Sequence, residues 1–101
     1  MIMHNPPHPG EFIRSVYLEP FSMSARALAE SLAVSPSTLN RVITGKSGIS
    51  PDMALRLSKA LGRSAESWLA MQNHYDLWLA KQHVKLDHVQ HVEFAAASQS
   101  V

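Results

Sequence analysis

Apolar positions recur at spacings of three and four through most of the chain, and each run has a serine or proline in front and a glycine or proline behind. Such punctuation predicts short helices, with no convincing strand alternation before the last twenty residues. A first helix over 9–18 turns Phe12, Ile13, Val16 and Tyr17 inward and stops before Pro20, which disfavours helical geometry at Glu19. Ser24 caps a second helix in which Leu28 and Leu32 share a face, while Ala25 and Ala29 keep the adjacent stripe thin enough for a close crossing. Ser35 caps a third. There Pro36 sits where its missing N–H costs nothing, Leu39, Val42 and Ile43 face inward, and Gly45 supplies the left-handed stop. Ser50, Pro51 and Asp52 repeat the device for a fourth helix running through Leu57 and Leu61 to Gly62, the carboxylate lying at the positive end of the helix dipole.

Ser64 opens a fifth helix, over about 65–82, with Trp68, Leu69, Met71, Tyr75, Leu77, Trp78 and Leu79 spread over too much of its circumference for one solvated face. One stripe is expected on the domain. The rest is expected to meet the same helix of a second subunit, giving a homodimer contact of Trp68, Met71, Tyr75, Trp78 and Leu79. Beyond His83, Val84, Leu86, Val89, Val92 and Phe94 are loosely spaced and suit a short strand or a disordered tail equally, before a small, polar end at 95–101. The predicted fold class is all-α, a five-helix domain over 1–82 followed by a tail over 83–101.

A chain of 101 residues, 46% hydrophobic, suits one domain and leaves little room for an enclosed catalytic pocket beside its core. It has no cysteine, which excludes disulfides and thiolate zinc sites and fits a reducing cytoplasm. No apolar run approaches the roughly 20 residues that span a bilayer, and 1–10 lacks a basic stretch followed by an apolar one, so a cytoplasmic, unprocessed protein without a membrane partner is expected. The net charge of +1 is unevenly distributed: between positions 24 and 63, Arg26, Arg41, Lys46, Arg56, Lys59 and Arg63 face only Glu30 and Asp52. Such a segment attracts a phosphate backbone, although a solvated helix face carries similar charge.

The second and third helices, joined by a tight turn over 24–45, form a helix-turn-helix pattern. The predicted outer face of the third carries Ser37, Thr38, Asn40, Arg41 and Thr44, with no acidic residue to repel phosphate. Asn pairs bidentately with adenine and Arg with guanine, so Ser37, Thr38, Asn40 and Arg41 are the candidate base readers, Arg41 first. Arg26, Ser35, Thr44, Lys46, Ser47 and the backbone after Gly45 are candidate phosphate contacts that set register on double-stranded DNA. Other chemistry is thinly represented. His88 and His91, among six histidines that include His4, have no third ligand on a firm element, and no serine lies in a nucleophile elbow, so no metal, cofactor or catalytic residue is expected.

Leu28, Ala29, Leu32, Val34, Ser35, Leu39, Val42 and Gly45 resemble the helix-turn-helix core of the lambda-repressor-like (XRE) family. The flanks, His8-Pro9-Gly10-Glu11, Ile49-Ser50-Pro51-Asp52, Trp68-Leu69-Ala70-Met71-Gln72 and Tyr75-Asp76-Leu77-Trp78, resemble the HigA (VapI-like) antitoxins. That resemblance implies a dimer that represses its own toxin-antitoxin operon and neutralises a HigB-like toxin, a RelE-like mRNA endonuclease. Ala33 stands where the family often has Gly, and Ala70 where Asn is more usual; a left-handed Ala33 costs up to about 1 kcal/mol. A stand-alone XRE-type regulator and an interaction-only module that neutralises a toxin without binding DNA are the alternatives.

Overall fold

The computed structural model describes residues 5–95; His4 and the end of the tail, 96–101, lie outside the described residues. The chain forms α1 (Pro9–Ile13), which continues as a π-helical segment (Arg14–Leu18), then α2 (Ala25–Leu32), α3 (Pro36–Ile43), α4 (Pro51–Leu61) and α5 (Ala65–His83). No strand occurs among the described residues. After α5 the chain runs to Ala95 without regular structure, apart from a turn in which Val89 N–H donates to the Leu86 carbonyl at 3.0 Å.

Each α-helix start satisfies one of its orphan amides with the side chain of its N-cap residue. Ser24, Ser35, Ser50 and Ser64 accept through Oγ from the amides of Ala27, Thr38, Met53 and Ser67 at 3.0 to 3.1 Å. At α1 the cap is His8, whose Nδ1 accepts from Gly10 N–H at 2.9 Å. Such caps contribute about 1 kcal/mol apiece. Gly45 and Gly62 end α3 and α4 at φ +80° and +95°, while α2 ends on Ala33 at φ +59°, a left-handed position an alanine occupies under strain.

The core gathers one stripe from every helix: Ile13, Leu28, Leu39, Leu57 and Trp68 are fully buried. α1 approaches α3 so closely that a Cβ on Gly10 would lie 1.9 Å from the Val42 carbonyl oxygen. Val16 departs from its expected inward position and is exposed, with Leu18 buried in its place. The wider π turn is the reason: Glu19 N–H bonds the Arg14 carbonyl at 2.9 Å, so the residue five after Ile13 returns to the core side.

Trp68 also departs from expectation. With no exposed surface it is sealed inside its own subunit and cannot serve a dimer contact. Its ring packs 5.8 Å from Phe12 and 6.2 Å from Tyr17, and the Arg63 guanidinium lies 5.7 Å from it. α5 packs against both α1 and α4, so its first turns are consumed by the core. Met71 is half-buried against that core and Tyr75 meets His8 edge-on at 5.0 Å. Exposed apolar surface begins farther along: Leu77 is 55% exposed, and Val84, Leu86, Val89, Val92 and Phe94 are all exposed.

Candidate nucleic-acid interface

α3 is amphipathic because its apolar residues fall at 39, 42 and 43. Leu39 and Val42 are buried and Ile43 half-buried, so the opposite side of the cylinder faces solvent. Ser37, Asn40 and Arg41 are exposed on it, and Thr38 is half-buried. The N-terminal hydroxyls are organised among themselves. Ser35 Oγ donates to Thr38 Oγ1 at 2.8 Å while accepting the Thr38 amide, and Ser37 Oγ lies 3.3 Å away. Asn40 and Arg41 side chains make no hydrogen bond to other described residues, which leaves a bidentate amide and a guanidinium fork directed outward.

The flanking groups divide more sharply. Arg26 and Lys46 are exposed, and Ser47 is half-buried. Thr44 Oγ1 donates back to the Asn40 carbonyl at 2.8 Å, so its proton is engaged in the helix end. The backbone amides expected beside phosphate after Gly45 are spent as well: Gly45 N–H bonds Val42 O at 3.1 Å, and Lys46 and Ser47 N–H bond Arg41 O at 2.8 and 3.1 Å. The loop therefore offers side chains, not those amides.

Two of the six Lys and Arg residues between positions 24 and 63 are committed to the fold. Arg56 Nη1 donates to the Leu32 and Ala33 carbonyls at 2.9 and 3.2 Å, holding the turn between α2 and α3, and its Nε pairs with Asp52 at 2.6 Å. Arg63 lies over Phe12 and Trp68 and donates to Ser67 Oγ at 2.7 Å. Arg26, Arg41, Lys46 and Lys59 remain exposed.

Sequence reasoning passed over the residues that support the loop after α3. Gln72, buried in α5, accepts from Ile49 N–H through Oε1 at 2.8 Å and donates through Nε2 to Asp76 Oδ1 at 3.0 Å. His8 meets Tyr75 of the same helix edge-on at 5.0 Å; burial lowers its pKa, opposed by Asp76, the Ser47 backbone and Glu11. Gln72 follows Trp68 by four residues and so shares its buried stripe; a polar residue there signals a buried partner. In the tail, His91 Nε2 lies 3.9 Å from Glu93, both exposed.

The "Helix-turn-helix" family model matches residues 16–68, which run from within the π segment to Trp68 and include the whole of α2, α3 and α4. "Virulence-associated protein I" of Dichelobacter nodosus is 51% identical over 75 residues, covering 74% of this chain and 69% of that protein. Antitoxin GraA superposes with a TM-score of 0.83 at 38% identity, covering 89% of this chain and 100% of that one. The antitoxin HigA of Pseudomonas aeruginosa, solved with the higBA promoter, superposes with a TM-score of 0.76 at 37% identity over 88% of this chain and 99% of that one.

Proposed function

The chain belongs to the helix-turn-helix family, and from that premise we propose that it is a DNA-binding antitoxin of the HigA type which represses its own operon and neutralises a RelE-like toxin. The observation that carries the reading is the outward face of α3. Ser37, Asn40 and Arg41 stand in solvent on a short rigid helix whose other side is anchored by Leu39 and Val42. A helix of this kind fits the major groove, where Arg41 matches guanine O6 and N7, Asn40 matches adenine, and Ser37 and Thr38 reach base edges or phosphate. Arg26, Lys46 and Ser47 flank it as phosphate contacts, and Ser35 and Thr44 join them by turning their O–H groups from Thr38 Oγ1 and the Asn40 carbonyl to the phosphate.

Operator binding of this geometry calls for a two-fold dimer, its α3 helices in successive major grooves about 34 Å apart. Tyr75, Trp78 and Leu79 stay in the proposed subunit contact with Leu77. The exposed apolar residues from Val84 to Phe94 extend it, because an isolated subunit would leave them all in water. Met71 contributes only the part of its side chain that the core leaves uncovered. The similarity to GraA and HigA supports the antitoxin role and, through it, a toxin partner and a cytoplasmic site of action.

The test is fluorescence anisotropy on DNA taken from immediately upstream of the protein's reading frame. Arg41→Ala should lose about 1 to 3 kcal/mol and relax base preference, whereas Lys46→Ala should weaken every sequence alike and reduce the salt slope by about 0.9. Equal small losses from both would leave only non-specific attachment. Co-expression with the adjacent reading frame, followed by mass measurement, decides the toxin: a complex supports the antitoxin, and its absence leaves a stand-alone regulator.

A further inference from the structure

We propose that Gln72 is a positioning residue for DNA binding: it braces the loop 45–49 so that Lys46 and Ser47 are presented to the phosphate backbone. The proposal rests on the operator-binding reading above and adds α5 to its machinery. Ile49 is 6% exposed, so its N–H is cut off from water and needs a protein acceptor; Gln72 Oε1 supplies it at 2.8 Å across 23 residues of sequence. Asp76 Oδ1 takes the amide's Nε2 at 3.0 Å, which fixes the orientation that points Oε1 at the loop. The fit is close, because a Cβ on Gly48 would lie 2.9 to 3.1 Å from the Gln72 amide group. A loop already ordered in the free protein loses less entropy when its side chains dock on phosphate.

Two variants and two measurements test this. Gln72→Met keeps length and volume but leaves Ile49 N–H unpaired. Gln72→Glu combined with Asp76→Asn exchanges the polarity of the 72–76 bond, preserves the acceptor for Ile49 and keeps the net charge. In Gln72→Met, amide exchange at 46–49 should accelerate about tenfold while Leu39 and Val42 in α3 stay protected. Affinity for the upstream duplex should fall about tenfold, with a salt slope smaller by about 0.9 for each phosphate no longer engaged. The double variant should restore both.

Wild-type protection at 46–49 in Gln72→Met would overturn the brace, as would a folded double variant that binds no better than Gln72→Met. A wild-type protein that binds no duplex would instead sink the functional reading, while the exchange measurement still decides whether Gln72 orders the loop.

Discussion

Replacing Gly10 by alanine sets two effects of opposite sign against each other, and the geometry decides between them. Within a helix the change to alanine normally gains about 0.5 to 1 kcal/mol, because glycine loses more backbone freedom on folding. Here the new Cβ would lie 1.9 Å from the Val42 carbonyl oxygen and 2.7 Å from Ile43 Cα, against 3.4 Å for the onset of ordinary contact. Both obstacles are backbone, so no rotamer change relieves them, and α1 must move from α3 by roughly 1.5 Å, a gap that forfeits much of the dispersion attraction across the seam. Ile13, fully buried one turn later, is carried along. Overpacking of this kind costs about 1 to 3 kcal/mol, or more where it cannot relax, and exceeds the propensity gain. At about 4 to 8 °C per kcal/mol for a domain of this size, Gly10→Ala should lower Tm by about 5 to 15 °C in a thermal melt followed by circular dichroism. An unchanged or raised Tm would show that α1 does not press on the end of α3 as described.

Ala33→Gly should act in the opposite direction. It relieves an exposed left-handed alanine, so stability should rise by up to about 0.5 kcal/mol, net of the entropy glycine adds to the unfolded chain, and a lower Tm would refute the strain at φ +59°. His8 should make stability pH-dependent. Burial lowers its pKa below the ordinary value of about 6.5, so the unfolded chain binds the extra proton first; the contribution is intact above that pH and declines as pH falls from there towards the folded value. His8→Asn, which retains an N-cap acceptor but does not titrate, should flatten the Tm profile between pH 7 and 5, and an unchanged profile would exclude His8 as the titrating group. Trp68→Ala should cost about 3 to 5 kcal/mol without weakening self-association beyond that loss, whereas Leu77→Glu should lower the sedimenting mass while leaving the helical content of each subunit intact. The reverse assignment of effects would put Trp68, not Leu77, at a subunit contact.

Five helices and most of their ends were legible because the signals that set them act within a turn of the residues that carry them; the end of α1 was not, since the chain widens into a π turn and Glu19 stays helical before Pro20. Ser24, Ser35, Ser50 and Ser64 cap amides three residues away, Pro36 and Pro51 open helices at fixed φ, and Gly45 and Gly62 close them. The outward strip of α3 was legible for the same reason, since burying Leu39 and Val42 leaves Ser37, Asn40 and Arg41 on the other side. The tertiary structure alone decided which of several apolar stripes the core would use, because that depends on residues distant in sequence meeting in space. It sealed Trp68 within one subunit, and the π turn buried Leu18 in place of Val16. Arg56 was drawn to carbonyls some two dozen residues earlier, and Gln72 to an amide 23 residues away. Periodicity reports that a helix has an apolar face; it carries no information about which buried backbone groups elsewhere lack a partner, and those groups assigned the polar side chains their places.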